Sequence, residues 1–181
     1  MTVVLWLQHT RTPELVAFAQ KPLDADRFAP LLGAKLLAVD GIELKRVIDA
    51  AVDEVRHEYD PLKGAFDQPR PFVVNHAVEP VTDPRPVESY PSGHAIRAVV
   101  YARLLAEIFP DKKQTLLDLA YQIGYGRVIA GVHYPVDVTA GQTLGQAYAD
   151  VIVKQPAFRE AIERIHIRFD GETQVQYPRD V

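Results

Sequence analysis

The sequence predicts an all-α protein folded as a single-domain helical bundle. Three observations carry this. Apolar residues recur at helical spacing in segment after segment, and a proline-rich stretch separates two such groups. The 181 residues, 48% hydrophobic and 24% charged, suit one soluble core. No internal repeat, low-complexity tract or second domain breaks the pattern.

Near the N-terminus the run Val3-Val4-Leu5-Trp6-Leu7 is apolar, with no basic region before it. It is too short for a signal peptide, although a processed chain with a replacement Met1 would look the same. A helix is expected over residues 12–20, with Pro13 at its first position, where a missing N–H is harmless. Another is expected over 24–32, limited by Pro30. The clearest signal spans 43–57, where Leu44, Val47, Ile48, Ala51, Val52 and Val55 share one helical face. From 60 to 91 no helix is expected, because seven of the fourteen prolines fall there. Each removes a donor and biases the preceding residue toward extended geometry. So long an irregular segment is usually functional or disordered; this one begins and ends in candidate phosphate-binding motifs, which favours function.

Helical patterning returns over 93–109, with Ile96, Val99, Val100, Leu104, Leu105 and Ile108 facing inward. Further helices are expected over 111–129 and 135–153. In the last of these Gly141, Gly145 and Ala149, spaced by four, form a stripe that admits a neighbouring backbone, although each glycine costs about 1 kcal/mol of helix propensity. An amphipathic stretch over 156–169 precedes a polar tail.

The formal net charge of -4 argues against a nucleic-acid partner, and any cationic cluster is local. With no cysteine there is no thiol nucleophile, disulfide or cysteine–zinc site. No apolar run approaches the roughly 18 residues needed to span a bilayer, so no integral membrane segment is expected.

Three stretches fit together as one phosphate-handling site: Lys63 with Arg70-Pro71; Pro91-Ser92-Gly93-His94; and Arg127 with His133 and Asp137. Ser92 suits the N-cap of the helix opening at Gly93, and a helix N-terminus favours an anion. Gly93 lets a ligand approach the backbone, and His94 lies in the first turn. Read alone, the tetrapeptide is equally a turn with a surface histidine. Pro135 suits the first position of the next helix, which makes Tyr134 the N-cap and Asp137 the third helical residue. An acid there turns back over the helix start, within reach of His133. That is the orienter–base relation of a catalytic triad, here for a histidine nucleophile. Asp137 as a simple capping acid is the competing reading. Lys63, Arg70 and Arg127 are the candidate phosphate ligands: arginine binds two oxygens with its planar fork, and lysine adds a point charge; for any one of them alone a simply solvated charge is the competing reading. Arg127, followed by Val128, Ile129 and Ala130, needs an anionic partner.

The patterns Lys-x6-Arg-Pro, Pro-Ser-Gly-His and Arg-x5-His-x3-Asp resemble the signature of the type 2 phosphatidic acid phosphatase (PAP2) superfamily. The similarity is strongest to bacterial class A non-specific acid phosphatases and covers about residues 59–169. Ser89-Tyr90-Pro91-Ser92-Gly93-His94, Leu104-Leu105-Ala106-Glu107-Ile108, Arg127-Val128-Ile129-Ala130-Gly131-Val132-His133 and Gln155-Pro156-Ala157-Phe158 carry it. The resemblance implies a metal-independent acid phosphatase without a cofactor. In it His133 would form a phosphohistidine, oriented by Asp137, while His94 protonates the leaving group and then activates water. Lys63, Arg70, Arg127, Ser92 and the Gly93 amide would hold the phosphoryl oxygens. The expected pH optimum is acidic to near neutral.

Three positions depart from the family pattern. Gly126 replaces a serine whose hydroxyl would contact phosphate, Ala95 replaces a common threonine, and Glu88 replaces a common glycine. Glu88 is expected to bring negative charge near the substrate and narrow its range. Alternative readings are a vanadium-dependent haloperoxidase, with vanadate as cofactor, for which the chain is short; a soluble lipid or diphosphate phosphatase; and, least favoured, a non-catalytic phosphate-binding module. The expected partner is a small phosphate ester. Family habit implies a periplasmic or secreted location, with a cytoplasmic one still open. The oligomeric state, a homo-oligomer included, is left open.

Overall fold

The computed structural model describes residues 1–33, 39–82, 84 and 87–173, with side chains for all of these except 39, 40 and 166–173. The described residues form nine α-helices and no strand. The expected polar tail lies outside them from residue 174 onward.

Thr2–Thr10, which spans an apolar run in the sequence, forms α1. Its Val4 and Leu7 are buried against Val78, Ala95, Val128, Ile129 and Val138. Local sequence held no cap or long period to mark it; the helix is completed by a distant surface. Pro13–Gln20 forms α2, with Pro13 at its start and the Thr12 hydroxyl accepting from the Leu15 N–H. Residues 24–32 are less regular than expected: a 3-10 turn, Ala25–Phe28, leads into a single turn of helix, Ala29–Leu32 (α3).

The long helix α4, Val39–Lys63, extends past Pro61, which corrects the expected break at residue 60. Pro61 falls in the last turn, so its missing N–H deprives only one late carbonyl. The turn is anchored by Lys63, whose Nζ donates to the Pro91 carbonyl at 2.8 Å. Leu44, Ile48, Val52 and Val55 are buried as the spacing required, while Val47 and Ala51 pack at the edge of the core. A short helix, Pro71–Val74 (α5), is the second exception within the proline-rich stretch. Its proline occupies the first turn, where the helix loses no bond.

Gly93–Ala106 (α6) is the central helix, with eleven of its fourteen residues buried. It packs against α4, α7 (Lys113–Ile129) and α8 (Pro135–Ile152). Leu104 and Leu105 are wholly buried, each contributing about 1.5–3 kcal/mol of apolar burial. The small-residue stripe of α8 lies on the start of α6. A Cβ at Gly141 would stand 2.6 Å from the Ser92 carbonyl oxygen, and one at Gly145 2.6 Å from that of Ile96. The first turns of α6 thus meet the middle of α8 at backbone-contact distance. Pro156–Thr173 (α9) closes the core through Phe158, Ile162 and Ile165. No helix among the described residues is long and apolar enough to cross a membrane.

Candidate active site

The starts of α6 and α8, the ends of α4 and α7, and the segment leading into α5 surround one cavity of about 400 Å³. Lys63, Arg70, Gly93, His94, Arg127 and His133 all line it. Residues spread over 71 positions of sequence therefore share one small volume.

Asp137 holds the α8 start as the capping pattern requires. Its Oδ2 accepts from the Tyr134 N–H at 2.8 Å and lies 3.4 Å from His133 Nδ1. Ser89 adds a contact the sequence reading missed: its hydroxyl donates to the same oxygen and lies 3.3 Å from His133 Nδ1. Ser89 and Asp137 are both fully buried. With Nδ1 occupied on this side, His133 turns Nε2 toward the cavity, 3.4 Å from Arg70 Nη1. The α8 start is tied to the α6 start by the Ser92 N–H, which donates to the Asp137 backbone carbonyl at 3.0 Å.

The cations are fixed by backbone carbonyls. Arg70 Nε donates to the Val87 carbonyl at 2.7 Å and Nη1 to that of Val132 at 2.9 Å. Arg127, on the last turn of α7, donates to the Ala19 carbonyl and the Thr82 hydroxyl, both at 3.2 Å. Lys63 also reaches the Glu88 carbonyl at 3.4 Å. Ordering cost is therefore met in the folded protein rather than on ligand binding.

Burial and crowding by cations set the protonation states. Burial is the largest influence on His133; it outweighs the Asp137 hydrogen bond and holds the imidazole at about 4. The imidazole is thus neutral above that pH. Burial lowers His94 well below its ordinary value, reinforced by Arg127 and Arg97. Lys63 falls to about 8, through burial and then the charge of Arg70. Burial would raise the Asp137 carboxyl, but hydrogen bonds from His133, Ser89 and the Tyr134 N–H together hold it below its ordinary value.

The structure places the remaining positions as follows. The Ser92 side chain is fully buried and does not line the cavity; its hydroxyl accepts from the Ala95 N–H as a helix cap. Glu88 is not among the cavity-lining residues; its carbonyl accepts from Lys63 at 3.4 Å, and its carboxylate charge acts on Lys63, favouring the charged amine. At Gly126 a Cβ would face Phe18 and Ala19 on α2, 3.6–3.8 Å away, so this position backs onto a helix. The structure adds Arg97, Arg56, Lys21 and Tyr59 to the cavity wall. The spacing of Arg97, three residues after His94 on one helix, was the signal that could have found it.

An all-α scaffold that gathers two histidines, an imidazole-orienting carboxylate and three anchored cations around one cavity defines an anion-handling site. The chain belongs to the PAP2 superfamily, whose profile matches residues 49–160. It is 29% identical over 143 residues to a non-specific acid phosphatase of Salmonella typhimurium, an alignment covering 76% of this chain and 57% of that protein. It is 31% identical over 102 residues to a lipid A 1-phosphatase of Rhizobium etli, covering 56% and 38%. Over 88 residues it is 41% identical to an undecaprenyl-diphosphatase of Sulfolobus acidocaldarius, covering 46% and 41%. The chain spans little more than half the length of the acid phosphatase it matches.

Proposed function

We propose that the protein is a metal-independent phosphomonoesterase acting on small phosphate esters through a phosphohistidine. The observation that carries this reading is the His133 arrangement. Nδ1 faces Asp137 and Ser89, the ring is neutral above about pH 4, and Nε2 faces a cation-lined cavity beside Arg70. A binding module needs only the cations.

His133 Nε2 attacks phosphorus while the bond to the ester oxygen breaks, and His94 gives that oxygen its proton. His94 then takes a proton from water, whose oxygen attacks the phosphohistidine. The P–N bond breaks, and phosphate leaves. Lys63, Arg70 and Arg127 stabilise charge on the equatorial oxygens, the chief demand of phosphoryl transfer. In the empty site His94 favours its neutral form. The negative charge of a bound phosphate opposes the surrounding cations and restores the proton.

The test is phosphate release from an aryl phosphate at about pH 5–7 with a chelator present, for the wild type and His133→Ala. Activity that survives chelation and disappears in the variant is expected. Loss on chelation, or full activity in the variant, refutes the scheme. Halide oxidation that appears only with added vanadate, without phosphate release, would put a haloperoxidase in its place.

A further inference from the structure

We infer that Arg97, with Arg56 and Lys21 at the rim, forms a subsite for a second anionic group carried by the leaving group. This rests on the assignment of His94 as the acid. Arg97 follows His94 by three residues on α6, so the two side chains share a face. Both line the cavity. The ester oxygen must lie at His94 to receive its proton, and the remainder of the leaving group extends along the wall that Arg97 occupies.

Arg97 is half-buried, and its Nε donates to the Gly93 carbonyl at 3.3 Å. Among the described residues no carboxylate forms an ion pair with it. A half-buried cation held only by neutral groups is poised for an anion from outside. The same cavity is lined by Arg56 of α4, half-exposed and 3.5 Å from Asp60, and by the exposed Lys21. Asp60 also lines the cavity, so three cations against one carboxylate leave this side net cationic on a protein whose net charge is -4. An uncharged leaving group makes no use of these side chains. A carboxylate or second phosphate does.

Three substrates of one skeleton test this: 2-hydroxyethyl phosphate, 2-phosphoglycolate and ethylene glycol bisphosphate. The wild type should favour at least one of the two anionic leaving groups by about tenfold or more in kcat/KM. The preferred one distinguishes carboxylate from phosphate. In Arg97→Gln that preference should collapse toward unity, and Arg56→Gln should reduce it partially. A wild type without preference, or an Arg97→Gln that lowers all three substrates equally, overturns the inference. If the wild type hydrolyses none of them, the phosphatase reading fails. Calorimetric binding of inorganic diphosphate against inorganic phosphate then still decides the subsite: Arg97→Gln must weaken diphosphate selectively, and an unchanged ratio refutes it.

Discussion

Gly141→Ala should damage stability and catalysis together, because Gly141 sets how closely the two histidine-bearing helix starts approach. The new Cβ would lie 2.6 Å from the Ser92 carbonyl oxygen and 3.0 Å from the Ala95 Cβ, where ordinary contact begins at 3.4 Å. The nearest obstacle is backbone at an α6 cap, so no side-chain rotation relieves it, and the helix starts must part by about 0.8 Å. Alanine returns about 1 kcal/mol of helix propensity, while overpacking against unyielding backbone takes the upper part of the usual range, about 2–3 kcal/mol. The net expectation is a loss of about 1–2 kcal/mol, or a Tm lower by about 3–6 °C. Displacement near 1 Å between His94 and His133 should also lower kcat by about 100-fold. Gly126→Ala is the control. Its Cβ meets Phe18 at an ordinary 3.6 Å, so propensity should prevail and stability rise by about 0.5–1 kcal/mol. Urea denaturation and aryl phosphate turnover measure both effects. Unchanged stability and kcat in Gly141→Ala would refute the reasoning.

The pH dependence should rise through an acid limb near 4 as His133 loses its proton and fall on the alkaline side as His94 loses its own. The alkaline limb of kcat should lie above that of kcat/KM, because bound phosphate raises His94 whereas the empty site lowers it; coincident limbs would contradict this. Stability should decline as pH falls from the ordinary histidine range toward 4, since the unfolded chain binds the His133 proton more readily than the fold does. Denaturation midpoints across that range check the sign. Ser89→Ala removes a donor to Asp137 Oδ2 and should cost about 1 kcal/mol of stability and about tenfold in kcat, with KM little changed. Arg70→Lys loses the fork that spans the Val87 and Val132 carbonyls; KM should rise about tenfold or more in steady-state assays.

The local half of the site was legible in the chain. Asp137 caps α8 and reaches His133 because capping spans three or four residues and depends little on what packs elsewhere. Ser92 and Pro135 mark helix starts for the same reason. The inward faces of α4 and α6 followed from apolar spacing, and the glycine stripe of α8 announced a close neighbour without naming it. Proline density alone does not mark the helix boundaries in the proline-rich segment, because Pro61 and Pro71 sit at helix ends, where proline is tolerated. Ser89 lies only five residues before His94, yet its bond to Asp137 spans 48 positions and has no local signature.

The amino-acid sequence by itself determined the all-α class, the two helix starts, the His133–Asp137 pairing and the set of cations suited to phosphate. Only the tertiary structure decided that those cations share one cavity, because Arg127 is tethered to α2 and Arg70 to the Val132 carbonyl before His133 by long-range bonds. It also decided the protonation states, which follow from burial rather than residue type. The same packing turned Ser92 into a buried cap and aimed Gly126 at α2. It also left Arg97 on the wall beside His94 without a carboxylate among the described residues. Caps and periodicity act over one turn of helix; convergence and desolvation exist only once the helices have packed.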